Sequence, residues 1–185
     1  MKQFIYIITL IFSVMLLFPP KVEASENISE ISANLKNSSN REQFIPNQDK
    51  NNRSLVLSNF LSRYNSVLFP YADTIIETAD KYEIPWSLVV AIAGVESTFC
   101  KFIPSNSCNC WGFNNGKTAF QDYNEAIEIV SRKLKTNYLN KGLNTPEKIG
   151  RIYAPPTPSW GRKVRYFMEM IENNYREVLP FKPII

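Results

Sequence analysis

The residue of this chain best suited to acid–base chemistry is Glu96, a lone acid in the apolar stretch from Ala91 to Cys100. No Lys or Arg lies within four positions of Glu96, and the nearest along the chain is Lys101. Burial raises the pKa of a carboxyl group, because apolar surroundings disfavour its charged form. A Glu tuned toward neutrality is what a general acid needs. The pattern is therefore compatible with proton transfer by Glu96.

The alternative is that Glu96 is structural, reaching water or pairing with a cation from a distant part of the chain. Four arginines could supply that partner: Arg132, Arg151, Arg162 and Arg165. The local pattern alone does not separate the two interpretations.

The absence of histidine from the chain narrows the possible chemistry. It excludes the Ser-His-Asp and Cys-His nucleophile systems and the H-E-x-x-H zinc hydrolases. No Walker A loop, G-x-G-x-x-G or Ser-x-x-Lys motif occurs either. Proton transfer at neutral pH must then come from carboxylates or from tuned Tyr, Lys or Cys. We expect no cofactor and no metal.

The loop that follows the acid combines cysteines, aromatic rings and amides. Three cysteines crowd within eleven positions, with neither the second pair nor the His of a zinc site: Cys100, Cys108 and Cys110. One short disulfide that pins the loop behind Glu96 is the natural interpretation, and it leaves one cysteine free or paired between chains. The segment Asn109 to Asn115 holds Trp111 and Phe113 between side-chain amides. Such groups bind sugars, by stacking and by hydrogen bonds, although each ring could equally pack in a core.

Apolar periodicity predicts the elements that position these residues. Stripes at three-to-four spacing indicate helices, and the segment that opens at Pro85 is apolar on nearly every face, as a buried central helix is. Residues 100–120 are predicted as loop, and no run of strands and no repeat is present. The predicted helices lie near 55–64, 71–82, 85–97, 123–134, 146–154 and 160–178. The chain of 185 residues thus contains one all-α domain, residues 53–185.

The N-terminal part of the chain, residues 1–52, is predicted to lie outside this domain. Lys2, an apolar run over residues 4–18, and small residues ending at Ala24 predict a cleaved signal peptide, residues 1–24. An uncleaved anchor is the alternative. Residues 25–52 are rich in Ser and Asn and predict a disordered linker. The mature protein is expected outside the cytoplasm, where disulfides persist.

The stretch from Ala91 to Phe113 resembles the catalytic segment of the lysozyme-like superfamily, in particular soluble-type lytic transglycosylases. Small secreted relatives labelled endo-N-acetylglucosaminidases are also similar. Glu96-Ser97-Thr98-Phe99 matches the E-S-x-F pattern in which the catalytic Glu ends a buried helix. The resemblance covers about residues 84–171 and includes Tyr153 and Trp160. The loop departs from the family where many transglycosylases have G-L-M-Q, and the departure affects the glycan subsites.

The resemblance implies roles for individual residues. Glu96 would be the catalytic acid/base, Ser97 a helper near the leaving or attacking group, and Tyr153 a contact of the Glu or of the adjacent sugar. The small relatives imply a Cys100–Cys110 bridge, with Cys108 unpaired. The residues expected to bind substrate are Asn109, Trp111, Phe113 and Trp160.

The implied activity is cleavage of peptidoglycan glycan strands between MurNAc and GlcNAc with a single Glu. Most glycosidases use two carboxylates. Asp122 is the candidate second acid, but an Asp at a helix start is an ordinary N-cap. Simple hydrolysis, with water held by Ser97 or Tyr153, is the nearest alternative. A non-catalytic glycan-binding module and a purely structural helical domain are others.

The expected partners follow from charge and from the N-terminal segment. The net charge of +4 is mild and no dense Lys/Arg cluster occurs, so no nucleic-acid partner is expected. We expect a monomer that binds peptidoglycan strands. It would touch a membrane only through the N-terminal segment, if that segment stays uncleaved.

Overall fold

The computed structural model describes residues 45–179, which form six α-helices without any strand in this range. The predicted all-α class is therefore confirmed. The helices are α1 (Ile45–Arg63), α2 (Ala72–Lys81), α3 (Leu88–Ser97), α4 (Tyr123–Asn137), α5 (Pro146–Tyr153) and α6 (Trp160–Val178). Short 3-10 turns at Phe69–Tyr71 and Leu139–Lys141 precede α2 and follow α4. None of these helices is long and apolar enough to cross a membrane.

Helix α3 is the buried centre of this domain, as its all-round apolar composition predicts. Every residue from Leu88 to Gly94 is buried, and the helix packs against α6. Gly94 makes the close approach possible, since a Cβ there would lie 2.6 Å from the ring of Phe99 and 3.1 Å from that of Phe167. The helix begins three residues after Pro85, because residues 86–87 form a turn.

The first helix corrects the predicted linker boundary. Helix α1 begins at Ile45, so residues 45–52 are helical instead of disordered. The signal-peptide prediction and the rest of the predicted linker, up to residue 44, lie outside the described residues.

Distant contacts hold the start of α1. Lys50 pairs with Glu77 of α2 at 2.7 Å, and Asp49 accepts a hydrogen bond from the hydroxyl of Tyr175 of α6. The partners stand 27 and 126 positions away along the chain. Local composition therefore could not reveal that this polar segment is ordered.

Candidate active site

Glu96 lies in the last turn of α3, and its carboxyl group has a neutral partner instead of a cation. Its Oε1 accepts a hydrogen bond from the indole Nε1–H of Trp160 at 2.6 Å. Six ion pairs join described residues, and none of them includes Glu96. Of the four candidate arginines only Arg165 forms an ion pair with another described residue, Glu147, at 2.5 Å. The salt-bridge interpretation thus finds no support in the described part of the chain.

The surroundings of Glu96 favour its neutral form. Burial raises the pKa of the Glu96 carboxyl above its usual value, and the indole N–H of Trp160, which stabilises the carboxylate, offsets part of this rise. The side chain remains partly exposed. Glu96 therefore combines a raised pKa with access to solvent, as a general acid requires.

Gly112 brings the loop backbone against the second oxygen of this carboxyl group. A Cβ at Gly112 would lie 2.8 Å from Oε2 of Glu96, and the residue has φ +61°, where side chains are disfavoured. The position thus requires glycine for two independent reasons.

Tyr153 and Trp160 form a wall beside the acid. Their rings stack with centroids 4.9 Å apart and planes 23° apart. The Tyr153 hydroxyl donates to the carbonyl oxygen of Trp111 at 2.5 Å. Burial, and next to it the charge of Glu96, hold the pKa of Tyr153 well above its usual value. The phenol therefore stays protonated, and its hydroxyl bonds to the loop backbone at Trp111. Its predicted contact with the Glu or with the adjacent sugar stays a prediction.

The structure gives Ser97 a structural position. Its buried hydroxyl donates to the carbonyl of Cys110 at 2.7 Å and accepts from the backbone N–H of Cys100 at 2.9 Å. A hydroxyl that is so engaged has no free proton for a substrate. Ser97 thus holds the loop against the end of α3, where we predicted contact with the leaving or attacking group.

Two predicted sugar-binding residues are core residues instead. Trp111 is 0% exposed, and its indole Nε1–H donates to the carbonyl of Val89 at 2.9 Å. Asn109 is 2% exposed, and its amide bonds to the backbone of Phe113 and Thr118. Neither side chain can reach a glycan, so both predictions are wrong. Their function is to shape the loop from within.

The other two residues predicted to bind sugar, Trp160 and Phe113, differ in their positions. Trp160 is 2% exposed and contacts Glu96 and Tyr153, so it orients and tunes the acid and does not stack on a sugar. Phe113 is half-buried against Phe120, with ring centroids 5.8 Å apart, and lines a cleft. Phe113 therefore remains a candidate for substrate contact.

A disulfide joins Cys100 and Cys110, as predicted, and Cys108 is free. Just before the bridge, Thr98, Phe99 and Cys100 have φ of 52°, 55° and 68°. Consecutive left-handed residues with side chains are unfavourable and persist only when surrounding contacts enforce them. Here the bridge and a hydrogen bond from the Ser66 hydroxyl to the Phe99 carbonyl, at 2.8 Å, hold the turn.

A cleft of about 440 Å³ opens next to this site. Its described lining residues are Gly112, Phe113, Asn114, Asn115, Thr118, Val130, Lys133, Leu134, Asn137, Tyr138 and Tyr153. Gly112 and Tyr153, which both line the cleft, lie next to Glu96. Residues 112–115, Thr118, one face of α4 and two tyrosines thus enclose a groove beside the acid.

The described lining contains no carboxylate. Asp122, the candidate second acid, is the N-cap of α4 and accepts from the backbone N–H of Glu125 at 2.8 Å. Its ordinary capping role, the alternative to catalysis, is confirmed. The site therefore offers one largely buried acid beside a groove whose described lining contains no carboxylate.

Sequence reasoning missed the contribution of α4 to this groove. Val130, Lys133, Leu134 and Asn137 recur at the spacing of one helix face, so the pattern was visible. What the sequence did not show is that this face lies opposite the loop after Glu96.

No family model matches the chain, and no curated protein matches it.

Proposed function

We propose that this protein is a peptidoglycan-cleaving glycosidase of the lytic transglycosylase type, with a lysozyme-like domain and Glu96 as its acid/base. The observation that carries the proposal is the state of Glu96. Its pKa is raised by burial, its partner is the neutral indole of Trp160, and its Oε2 lies against Gly112, which lines the cleft. The resemblance of Glu96-Ser97-Thr98-Phe99 to the E-S-x-F pattern adds support from the sequence.

In the proposed reaction Glu96 first donates its proton to the glycosidic oxygen between MurNAc and GlcNAc. The C1–O bond breaks, and GlcNAc leaves with a hydroxyl group. The Glu96 carboxylate then takes the proton from the 6-hydroxyl of the same MurNAc, whose oxygen bonds to C1 and closes an anhydro ring. No water is consumed, and Glu96 ends the cycle protonated.

The composition of the cleft supports this scheme over ordinary hydrolysis. Most hydrolytic glycosidases place a second carboxylate across the scissile bond, as a nucleophile or to activate water. The described lining has none. A reaction in which the substrate supplies the nucleophile needs only one acid, which is what this site offers.

The environment in which the protein works is part of the proposal. A disulfide within the loop behind the acid is compatible with an oxidising compartment outside the cytoplasm, where peptidoglycan is found.

The test is to incubate the purified chain with purified peptidoglycan and to analyse the soluble products by mass spectrometry. We expect muropeptides that end in anhydro-MurNAc, lighter by one water than hydrolytic products. Hydrated muropeptides alone would show a hydrolase at the same site. Binding to peptidoglycan without cleavage would show a glycan-binding module, and neither binding nor cleavage would overturn the proposal.

The pH dependence of cleavage tests the contact between Trp160 and Glu96. Protonated Glu96 performs the first step, so activity falls as pH rises through its raised pKa. Trp160→Phe keeps a ring but removes the N–H that stabilises the carboxylate. We expect the alkaline limb of the kcat profile to move to higher pH. Trp86→Phe, whose ring packs on Tyr175, is the matched control and should leave the limb in place. A limb that stays fixed or moves to lower pH in Trp160→Phe would contradict the assignment.

A further inference from the structure

One face of α4 forms a wall of the cleft. Val130, Lys133, Leu134 and Asn137 follow one another at spacings of three and four, so they share this face. Val130 and Leu134 are buried and form its apolar floor, whereas Lys133 is half-buried and Asn137 is exposed. Lys133 is the one charged residue among the described residues that line the cleft.

Lys133 has no partner in the described part of the chain, in contrast to the other lysine that is partly buried on the same helix. Lys135 donates to Glu83 at 2.9 Å, whereas Lys133 forms no hydrogen bond or ion pair with a described residue. An ammonium group beside this groove creates a positive potential there, because no carboxylate is among the described lining residues. Such a position attracts an anionic group on whatever occupies the groove.

The loop opposite Lys133 offers neutral hydrogen-bonding groups. Asn114 and Asn115 both have φ 54°, a conformation that Asn tolerates better than most residues. Both side chains are exposed and line the cleft. The groove therefore presents amides from one wall and a single positive charge from the other.

We propose that Lys133 selects glycans that carry a carboxylate. This inference rests on the proposed function and deepens it. Peptidoglycan strands carry carboxylates, either on the stem peptide or, where the peptide has been removed, on the lactyl ether of MurNAc. A strand of GlcNAc alone has the same backbone and no charge. Lys133 thus distinguishes peptidoglycan from a neutral glycan of the same linkage.

The test compares Lys133→Met with Lys135→Met, a change of the same kind two positions away on the same helix. Dissociation constants are measured in a Glu96→Gln background, so that the glycans stay intact. Three ligands are used at matched length: peptidoglycan strands with stem peptides, strands stripped of peptides by an amidase, and chitooligosaccharides.

We expect Lys133→Met to weaken binding of a carboxylate-bearing strand about tenfold or more, as loss of one hydrogen bond to a charged group does. Binding of chitooligosaccharides should not change, and Lys135→Met should match the parent on all three ligands. A loss with peptide-bearing strands alone assigns the contact to a stem-peptide carboxylate, and a loss with stripped strands assigns it to the lactyl group. Equal effects on all three ligands, or no effect on any, would overturn the inference.

Cleavage by the chain with Glu96 intact separates this inference from the proposed function. If that chain cleaves peptidoglycan and Lys133→Met leaves all binding unchanged, only the role of Lys133 fails. If the chain with Glu96 intact cleaves nothing, but Lys133→Met still weakens binding of carboxylate-bearing strands alone, the catalytic proposal fails and the role of Lys133 stands. The selective loss should also shrink at high salt, since screening weakens exposed charge interactions.

Discussion

Glu96→Gln is expected to lower peptidoglycan cleavage by about 10²–10⁴-fold, the usual contribution of a general acid–base group. The amide has nearly the same shape as the carboxyl group, and its oxygen can still accept the hydrogen bond from Nε1 of Trp160. It has no acidic proton for the glycosidic oxygen and cannot take the proton of the 6-hydroxyl. Both proposed proton transfers are lost together.

The same substitution should not destabilise the fold. Because the folded-state pKa of Glu96 is raised, its contribution to stability is complete below the unfolded pKa and is lost as pH rises through the folded pKa. A neutral amide avoids this loss, so the free energy of unfolding of Glu96→Gln should equal or exceed that of the wild type at neutral pH.

The measurements are the rate of muropeptide release and thermal unfolding at neutral pH. Glu77→Gln, an exposed acid paired with Lys50, is the matched control and should retain full activity. Undiminished cleavage by Glu96→Gln would place the catalytic acid elsewhere. A large loss of stability would instead show that Glu96 is structural.

The second large effect concerns the bridge between Cys100 and Cys110, which are ten positions apart. We expect the Cys100→Ala/Cys110→Ala double variant to lose about 3 kcal/mol of the free energy of unfolding, as the loop-entropy model gives for a loop of this size. For a domain of this size the loss corresponds to a decrease in Tm on the order of 10 °C.

Activity should fall with stability in that variant, because the bridge anchors the segment that contains Gly112. Without it, the left-handed turn from Thr98 to Cys100 loses one of the contacts that enforce it. The position of Gly112 against Oε2 of Glu96 then varies. We expect the kcat to fall even at temperatures where the variant remains folded.

Cys108→Ala is the matched control for the bridge, since Cys108 is free. It should retain the Tm and activity of the wild type, and a reducing agent should lower the Tm of this variant as it lowers that of the wild type. If Cys108→Ala lost as much stability as the double variant, the pairing would involve Cys108 instead. An unchanged Tm in the double variant would show that the bridge contributes nothing.

The sequence by itself determined the helices and the unusual acid, because both depend on neighbours in the chain. Apolar residues at helical spacing and proline positions predict the helices of residues 45–179 except the first part of α1, and the apolar composition of Leu88 to Gly94 predicts burial of α3. The lack of a basic residue near Glu96 is also visible in the sequence around it. The start of α1 could not be predicted from its local sequence, because its partners Glu77 and Tyr175 belong to α2 and α6.

Only the tertiary structure decided the function of each aromatic and polar side chain around the acid. Trp111 and Trp160 were predicted to bind sugar because of their aromatic rings. In the structure Trp111 donates a hydrogen bond to the carbonyl of Val89 in the core, and Trp160 donates one to Glu96. Lys133 lies on a helix face that is visible in the sequence, but only the structure places that face along the cleft. Residue type limits which contacts a side chain can make, whereas long-range packing sets whether it faces the core, the acid or the groove.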